Sequence, residues 1–310
     1  MIKSFLNRFK DRAPAALSES DTTHPEPTLW QPVSQSCTQN QFLEPHYSRW
    51  CGAIREEPRR HRKQWEFCYI LQALKTRGMM TEGKRALGFG VGQEPLAALF
   101  ASHGVSVLAT DLEPAEAADA GWVETAQHAQ SKEALNERGI CDPESFDKLV
   151  EFRFMDMNAI APELDGHFDF CWSACAFEHL GSIAQGLEFV MNSVRCLKPG
   201  GVAVHTTEFN CTSNTDTLDN NSTVLFRKRD LLWLQQRLAE QGASMELNFN
   251  LGEQPLDKHV DVPPYSRDPH LKLQFENWIT TSFGLIVRKS PLTDDEAASA
   301  ATHGQTKAET

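Results

Sequence analysis

The sequence predicts an α/β fold, a doubly wound sheet with helices on both faces. Three observations carry that expectation. Strand-length apolar runs alternate with helical patterns from Glu57 to Arg288. A glycine turn, G-x-G-x-G at Gly88, Gly90 and Gly92, joins the first of these strands to its helix. Polar or acidic side chains close successive strands, at Asp111, Asp156 and Ser173, and ligands of open parallel sheets sit beyond such carboxyl ends.

The chain's 310 residues, 40% of them hydrophobic, suffice for a sizeable core. No apolar run approaches the ~20 residues of a membrane-spanning helix. A formal net charge of -12 argues against a phosphate-backbone partner, which needs clustered Lys and Arg. No nucleic acid is therefore expected, and a small or neutral substrate fits better. The eight cysteines are scattered without a C-x-x-C pair, as reduced core thiols of a cytoplasmic protein would be.

Taken in order, residues 1–45 read as a flexible leader. Ile2, Phe5, Leu6 and Phe9 lie at helical spacing among Lys3, Arg8, Lys10 and Arg12, so residues 1–12 could touch a membrane surface or dock on a partner. From Ala13 to Asn40 the composition is polar, which reads as mobile chain. The main domain is expected over 46–290. It opens with a helix between Glu57 and Arg77 whose apolar face includes Trp65, Ile70 and Leu74. This helix covers a sheet edge, and Arg62, Lys63, Trp65 or Glu66 can border a ligand. His61 reads as exposed.

Residues 84–110 then read strand, glycine turn, helix, strand, and Asp111 follows. An acid there can accept hydrogen bonds from both hydroxyls of a ribose. The third glycine of a dinucleotide fingerprint is missing, since Gln93 and Glu94 take its place, which favours a ligand without a pyrophosphate. The stretch after Asp111, with Trp122, Gln127 and His128, reads as a helical insertion that shapes specificity. Leu149–Met155 alternates as a strand, and Asp156 with Met157 at its end can meet an adenine amino group and ring. Phe168–Trp172 is the next strand, with Glu178 and His179 beyond it. A helix over Ile183–Leu197, a turn at Pro199 and Gly200, and a buried strand Val202–Thr207 bring Glu208 and Asn210 to the same rim. A helix Arg229–Gln241 and a strand Ser244–Phe249 continue the alternation. The Pro- and charge-rich stretch from Gly252 to Gln274 reads as a lid, Ser282–Arg288 as the closing strand, and 291–310 as a disordered tail.

Four motifs, GFGVG with Asp111, FMDMN, FDFCWSACAFEHL and LKPGG before a buried strand, resemble those of class I S-adenosylmethionine-dependent methyltransferases over roughly Glu57 to Lys289. The resemblance implies a Rossmann-like sheet of seven strands, six parallel and the last antiparallel, with S-adenosyl-L-methionine as cofactor. It implies that Gly88, Gly90 and Gly92 flank the cofactor's methionine part, that Asp111 and Leu112 sit at the ribose, and Asp156 and Met157 at the adenine. Ser173 would lie near the sulfonium. The acid usual at the start of the glycine motif is absent, with Ala86 or Leu87 in its place, so the cofactor's amino group must be met partly from elsewhere; the helix holding Arg62 to Glu66 is one source. The phrases CAFEHLGS and HTTEFN resemble bacterial enzymes of sugar and surface-glycan assembly.

The implied reaction is methyl transfer to a hydroxyl of a small molecule, a sugar or glycan. A sugar hydroxyl is a poor nucleophile at neutral pH, so a general base helps. His179 is the first choice because imidazole titrates near working pH. Glu178 and Glu208 are alternatives, as bases or as anchors. His205, inside a strand, reads as a hydrogen-bonded core histidine. His179, Glu208, Asn210, His259, Asp261 and His270 could supply ligands to a divalent cation, as in some sugar methyltransferases, but no spacing is diagnostic of a metal site and none is expected. N-methylation of an amino sugar or amine, a non-catalytic S-adenosylmethionine-binding protein and a nicotinamide-dependent oxidoreductase stay open beside this reading. The oligomeric state cannot be read.

Overall fold

The alternation read from the sequence becomes one sheet. The computed structural model describes residues 17–18, 21–114, 129 and 131–292. Its strands are β1 Ser34–Ser36, β2 Arg85–Gly88, β3 Ser106–Asp111, β4 Val150–Phe154, β5 Phe168–Ala174, β6 Leu197–Asn210, β7 Ala243–Met245, β8 Leu247–Asn248, β9 Val260–Asp261, β10 Lys272–Phe275 and β11 Trp278–Lys289. They follow the order β4-β3-β2-β5-β6-β11-β1-β8. Strands β2 to β6 are mutually parallel. β11 runs antiparallel to β6, and β7 antiparallel to β11. These seven strands therefore make six parallel and one antiparallel, the Rossmann-like arrangement expected, and four short strands extend it.

The helices are α1 Pro45–Ala53, α2 Arg62–Thr76, α3 Leu96–Ser102, α4 Pro143–Leu149, α5 Ile183–Arg195, α6 Lys228–Glu240 and α7 Pro255–Lys258. Because side chains alternate along a strand, each central strand feeds two cores. Phe170 and Trp172 of β5 join Trp65, Tyr69 and Phe100 on one face. Cys171, and Phe168 across a register irregularity between Phe168 and Phe170, join Phe189, Leu234 and Phe283 on the other, under α5 and α6. Strands buried on both faces read as near-continuous apolar runs, which is why they are recognisable in sequence.

Two expectations need correction. The polar leader is ordered well before residue 46. Leu29 and Ser34 to Thr38 are buried, and β1 pairs antiparallel with β11 through Gln35↔Gly284 and Ser36↔Phe283. Its polar side chains do not need water because the fold supplies partners: Ser36 Oγ donates to the Asn250 carbonyl at 2.7 Å and Gln35 Nε2 to that of Thr28 at 2.8 Å. The expected strand Ser244–Phe249 is likewise broken in two, β7 on the edge of β11 and β8 on the edge of β1, because β1 occupies the next stretch of β11.

The stretch from Gly252 to Gln274 also differs from a free lid. It contributes α7, β9 and the start of β10, and Asp257 accepts from Gln39 N at 2.7 Å. None of its residues lines the cleft described below. The helix expected over residues 1–12, the insertion with Trp122, Gln127 and His128, and the tail beyond Leu292 lie outside the described residues. Among the described residues, no helix is long and apolar enough to cross a membrane, and all eight cysteines are buried and free.

Candidate active site

A cavity of about 410 Å³ opens beyond the carboxyl ends of β2 to β5. The glycine turn forms one wall. Phe89 N donates to the Trp172 carbonyl at 2.9 Å and Val91 N to that of Thr110 at 3.1 Å, so the turn is tied to both neighbouring strands. Gly90 and Gly92 have φ of 56° and 50°, a left-handed conformation that costs other residues strain. A Cβ on Gly90 would stand 3.0 Å from Ala176 Cβ and 3.1 Å from Met157 Sδ. The glycine thus keeps open a cradle between three walls.

Asp111 is locked to the same turn. Its carboxylate accepts from Gly92 N at 3.1 Å, Leu112 N at 2.8 Å and Ala129 N at 2.9 Å. Asp156 caps a short turn by accepting from Asn158 N at 2.8 Å, and it lines the cavity together with Leu112 and Met157. The capping role and a place on the cavity wall therefore coexist.

Gly88 and Ser173 do not line the cavity. Gly88 is buried and lines nothing; a Cβ there would come within 2.4 Å of the Trp172 ring. Its glycine lets the tryptophan pack. Ser173 is fully buried and bonds His205 Nδ1 at 2.8 Å, while His205 Nε2 meets Ser193 Oγ at 3.0 Å. Alternation along β5 points Ser173 into the second core, and the small side chains of Ala174 and Ala176 face the cavity with Cys175. His205 is the core histidine expected, and burial lowers its pKa to about 3.

One wall of the cavity is charged. Lys63 and Glu66, from the first turns of α2, line it, as the reading of that helix allowed; Trp65 does not, since its indole N–H donates to Gln41 Oε1 at 2.9 Å. Arg62 pairs with Glu208 and donates to Ser282 Oγ at 3.1 Å. Glu66 accepts from Ser282 Oγ, and from Cys175 Sγ at 3.0 Å. Burial pushes the Glu208 carboxyl up, but Arg62 and Lys63 outweigh it and hold the pKa below its ordinary value. Glu178 is fully buried and accepts from Thr207 Oγ1 at 3.2 Å; burial raises its pKa to about 7. His61, expected to be exposed, is half-buried and accepts from Lys63 N at 3.2 Å, capping α2.

His179 lines the cavity with its Nδ1 2.8 Å from the Ser222 carbonyl. A carbonyl only accepts, so Nδ1 carries the proton and Nε2 is the basic nitrogen. Burial lowers the ring's pKa to about 4, so it is neutral near pH 7. Two further residues escaped the sequence reading. Cys175 was masked by its apolar context. Glu94 was read only as the residue replacing a glycine, yet it is buried, accepts from the Trp172 indole and lines the cavity.

A glycine turn and two strand-end acids, Asp111 and Asp156, around one cavity stand where open parallel α/β sheets bind ligands. Residues 87–205 match the family described as Methyltransferase domain. The matched span is well under half of the chain, but it contains the turn, Asp111, Asp156 and His179. The chain is accordingly a methyltransferase with S-adenosylmethionine as its cofactor. No curated protein matches significantly. Among solved structures, the chain is similar to a protein assigned as a sarcosine dimethylglycine methyltransferase from Galdieria sulphuraria, at 15% identity, covering 74% of this chain and 85% of that one with a TM-score of 0.45. It is also similar to a SAM-dependent methyltransferase from Aquifex aeolicus, at 16% identity over 70% and 88% of the two chains with a TM-score of 0.37. A third likeness is to the [4+2]-cyclase SpnF, at 15% identity over 72% and 84% with a TM-score of 0.42.

Proposed function

We propose that the enzyme transfers the methyl group to a hydroxyl of a small molecule, a sugar or glycan. The observation that carries this reading is His179, a neutral imidazole that lines the cavity with its Nδ1–H held by a backbone carbonyl. Its Nε2 can take the acceptor's proton, a contribution of ~10² to 10⁴ in rate. The cofactor supplies an electrophilic methyl on a sulfonium. The residues present fit it: Gly90 leaves the cradle that a Cβ would fill, Asp111 would hold the ribose, and Leu112, Asp156 and Met157 the adenine. Glu66 and Glu94 would meet the amino group, replacing the acid absent from the start of the glycine motif. Glu208, ion-paired with Arg62 and bonded to Thr280 Oγ1 at 2.8 Å, does not line the cavity and is not the base in this reading. The resemblance of CAFEHLGS and HTTEFN to glycan-assembly enzymes supports the acceptor class.

The test is calorimetric titration with S-adenosylhomocysteine, followed by methyl-transfer assays on sugar and amine acceptors. Wild-type protein should bind, and Asp111→Ala should weaken binding ~10-fold or more, the loss expected for charge-assisted hydrogen bonds of about 1.5 to 3 kcal/mol. His179→Ala should bind equally well but lose transfer to hydroxyls. Transfer to amines alone would overturn the oxygen acceptor.

A further inference from the structure

We infer that Cys175, Glu178 and Glu208 form a site for a divalent transition-metal ion, of the zinc class, behind the cavity wall that Cys175 lines. One ligand atom from each lies within 4.8 Å of the other two, and all three residues are buried. Zinc holds thiolate sulfur at about 2.3 Å and carboxylate oxygen at about 2.0 to 2.2 Å in a tetrahedron, so its ligand atoms stand ~3.3 to 3.7 Å apart. A contraction of up to ~1 Å, within reach of side-chain rotation, forms the site. Cys175 also faces the cavity, which provides the entry path.

The second observation is an orphan. Glu178 is fully buried, its Oε2 accepts from Thr207, and its Oε1 has no hydrogen-bond partner. Buried carboxylate oxygens are ordinarily paired or bound to metal. The local charges do not close either. Arg62 and Lys63 stand against three buried carboxylates, Glu66, Glu178 and Glu208. Arg62 is committed to Glu208 and Ser282, and Lys63 Nζ lies 3.6 Å from Glu66 on a half-exposed side chain. Glu178 is the carboxylate without an ion pair to either cation, its Oε1 facing His179 Nε2 at 3.8 Å. Together with a Cys175 thiolate it would carry two negative charges, which a divalent ion balances.

Binding would release one proton, from the Cys175 thiol now shared with Glu66, to solvent. No electron changes hands. The donor set selects the ion: thiolate favours zinc over magnesium or calcium. Arg62 would hold the ligating Glu208 from outside, as outer partners of metal-bound carboxylates do. Three protein ligands leave a fourth position open, the count of catalytic rather than structural zinc sites. Such an ion could polarise an acceptor oxygen, although its binding does not depend on the acceptor's identity.

The test uses full-length protein stripped with a chelator and titrated with Co²⁺ as the zinc surrogate, read by absorption. One equivalent should give a thiolate-to-cobalt charge-transfer band that Zn²⁺ displaces and Cys175→Ser abolishes. Glu178→Gln, which preserves shape, should weaken Co²⁺ binding at least ~10-fold while still binding S-adenosylhomocysteine, which shows that it folds. Among the described residues no other cysteine belongs to a cluster of three such ligands, so the band reports this site. Absence of the band, or its survival in Cys175→Ser, overturns the inference and leaves Glu178 balanced by a proton.

Discussion

Gly88, Gly90 and Gly92 look alike in sequence and differ in what their missing side chains allow. Gly88→Ala would drive a methyl into the Trp172 ring and Val91 Cγ1, at 2.4 and 2.6 Å, so we expect a stability loss of about 1 to 3 kcal/mol in urea unfolding. Gly90→Ala must instead pay for a positive φ and fill the cradle; calorimetry should show weakened S-adenosylhomocysteine binding beyond any loss of stability. Equal effects of the two substitutions on binding would contradict this division. The positions of Asp111, Asp156 and Met157 were legible because a strand end followed by an acid is a local pattern. Those of Ser173 and Cys175 were not, because which parity of β5 faces the cavity is set by its pairing with β2 and β6. The partner that claims Ser173, His205, is 32 residues away.

His205 itself allows a pH prediction. Its pKa falls from 6.5 to about 3 on burial, so the folded state keeps it neutral where the unfolded state takes a proton. Stability is therefore lost as pH falls through 6.5, and between about pH 7.5 and pH 5 this one group should cost about 2 kcal/mol. Urea unfolding of wild type and His205→Gln at the two pH values isolates it, since other titrating groups are common to both proteins. A wild-type-minus-variant difference that does not change with pH would sink the assignment.

At the scale of elements, the strand and helix alternation was readable because its periodicities are local and its strands are buried on both faces. The N-terminal segment was not. It has few large apolar residues, and it is held by polar groups whose partners lie elsewhere in the chain. Gln41 is the centre of that arrangement. Its Nε2 donates to the Ser36 carbonyl at 2.8 Å and to Thr38 Oγ1 at 2.9 Å, and its Oε1 accepts from Gln35 Nε2 and Trp65 Nε1, both at 2.9 Å. One amide thus ties β1 to α2. Gln41→Ala would orphan several buried groups at ~1 to 3 kcal/mol each, and we expect a total loss of about 3 kcal/mol or more by denaturant unfolding. A loss below about 1 kcal/mol would mean that the leader is only loosely attached. The Gly252 to Gln274 stretch misled for a related reason: its charge is met by backbone, as where buried Lys272 Nζ donates to the Leu251 carbonyl at 2.8 Å.

For the whole molecule, the cavity is where separately folded parts converge. The turn after β2, the ends of β3 to β5 and the start of α2 all border it, and α2 is in turn held by the N-terminal segment. A ligand bound there contacts native structure only, so it should stabilise the entire fold by mass action. At about 100 times its dissociation constant, S-adenosylhomocysteine should add about 2.7 kcal/mol, which for a domain of this size is a rise in melting temperature of roughly 5 °C or more. Each further tenfold of ligand should add about 1.4 kcal/mol, and Asp111→Ala should need correspondingly more ligand for the same rise. Calorimetric or fluorescence melts over a ligand series check this directly. A rise that saturates once the site is full would show that the unfolded chain also binds the ligand, and no rise at all would contradict the cofactor site built around Gly90 and Asp111.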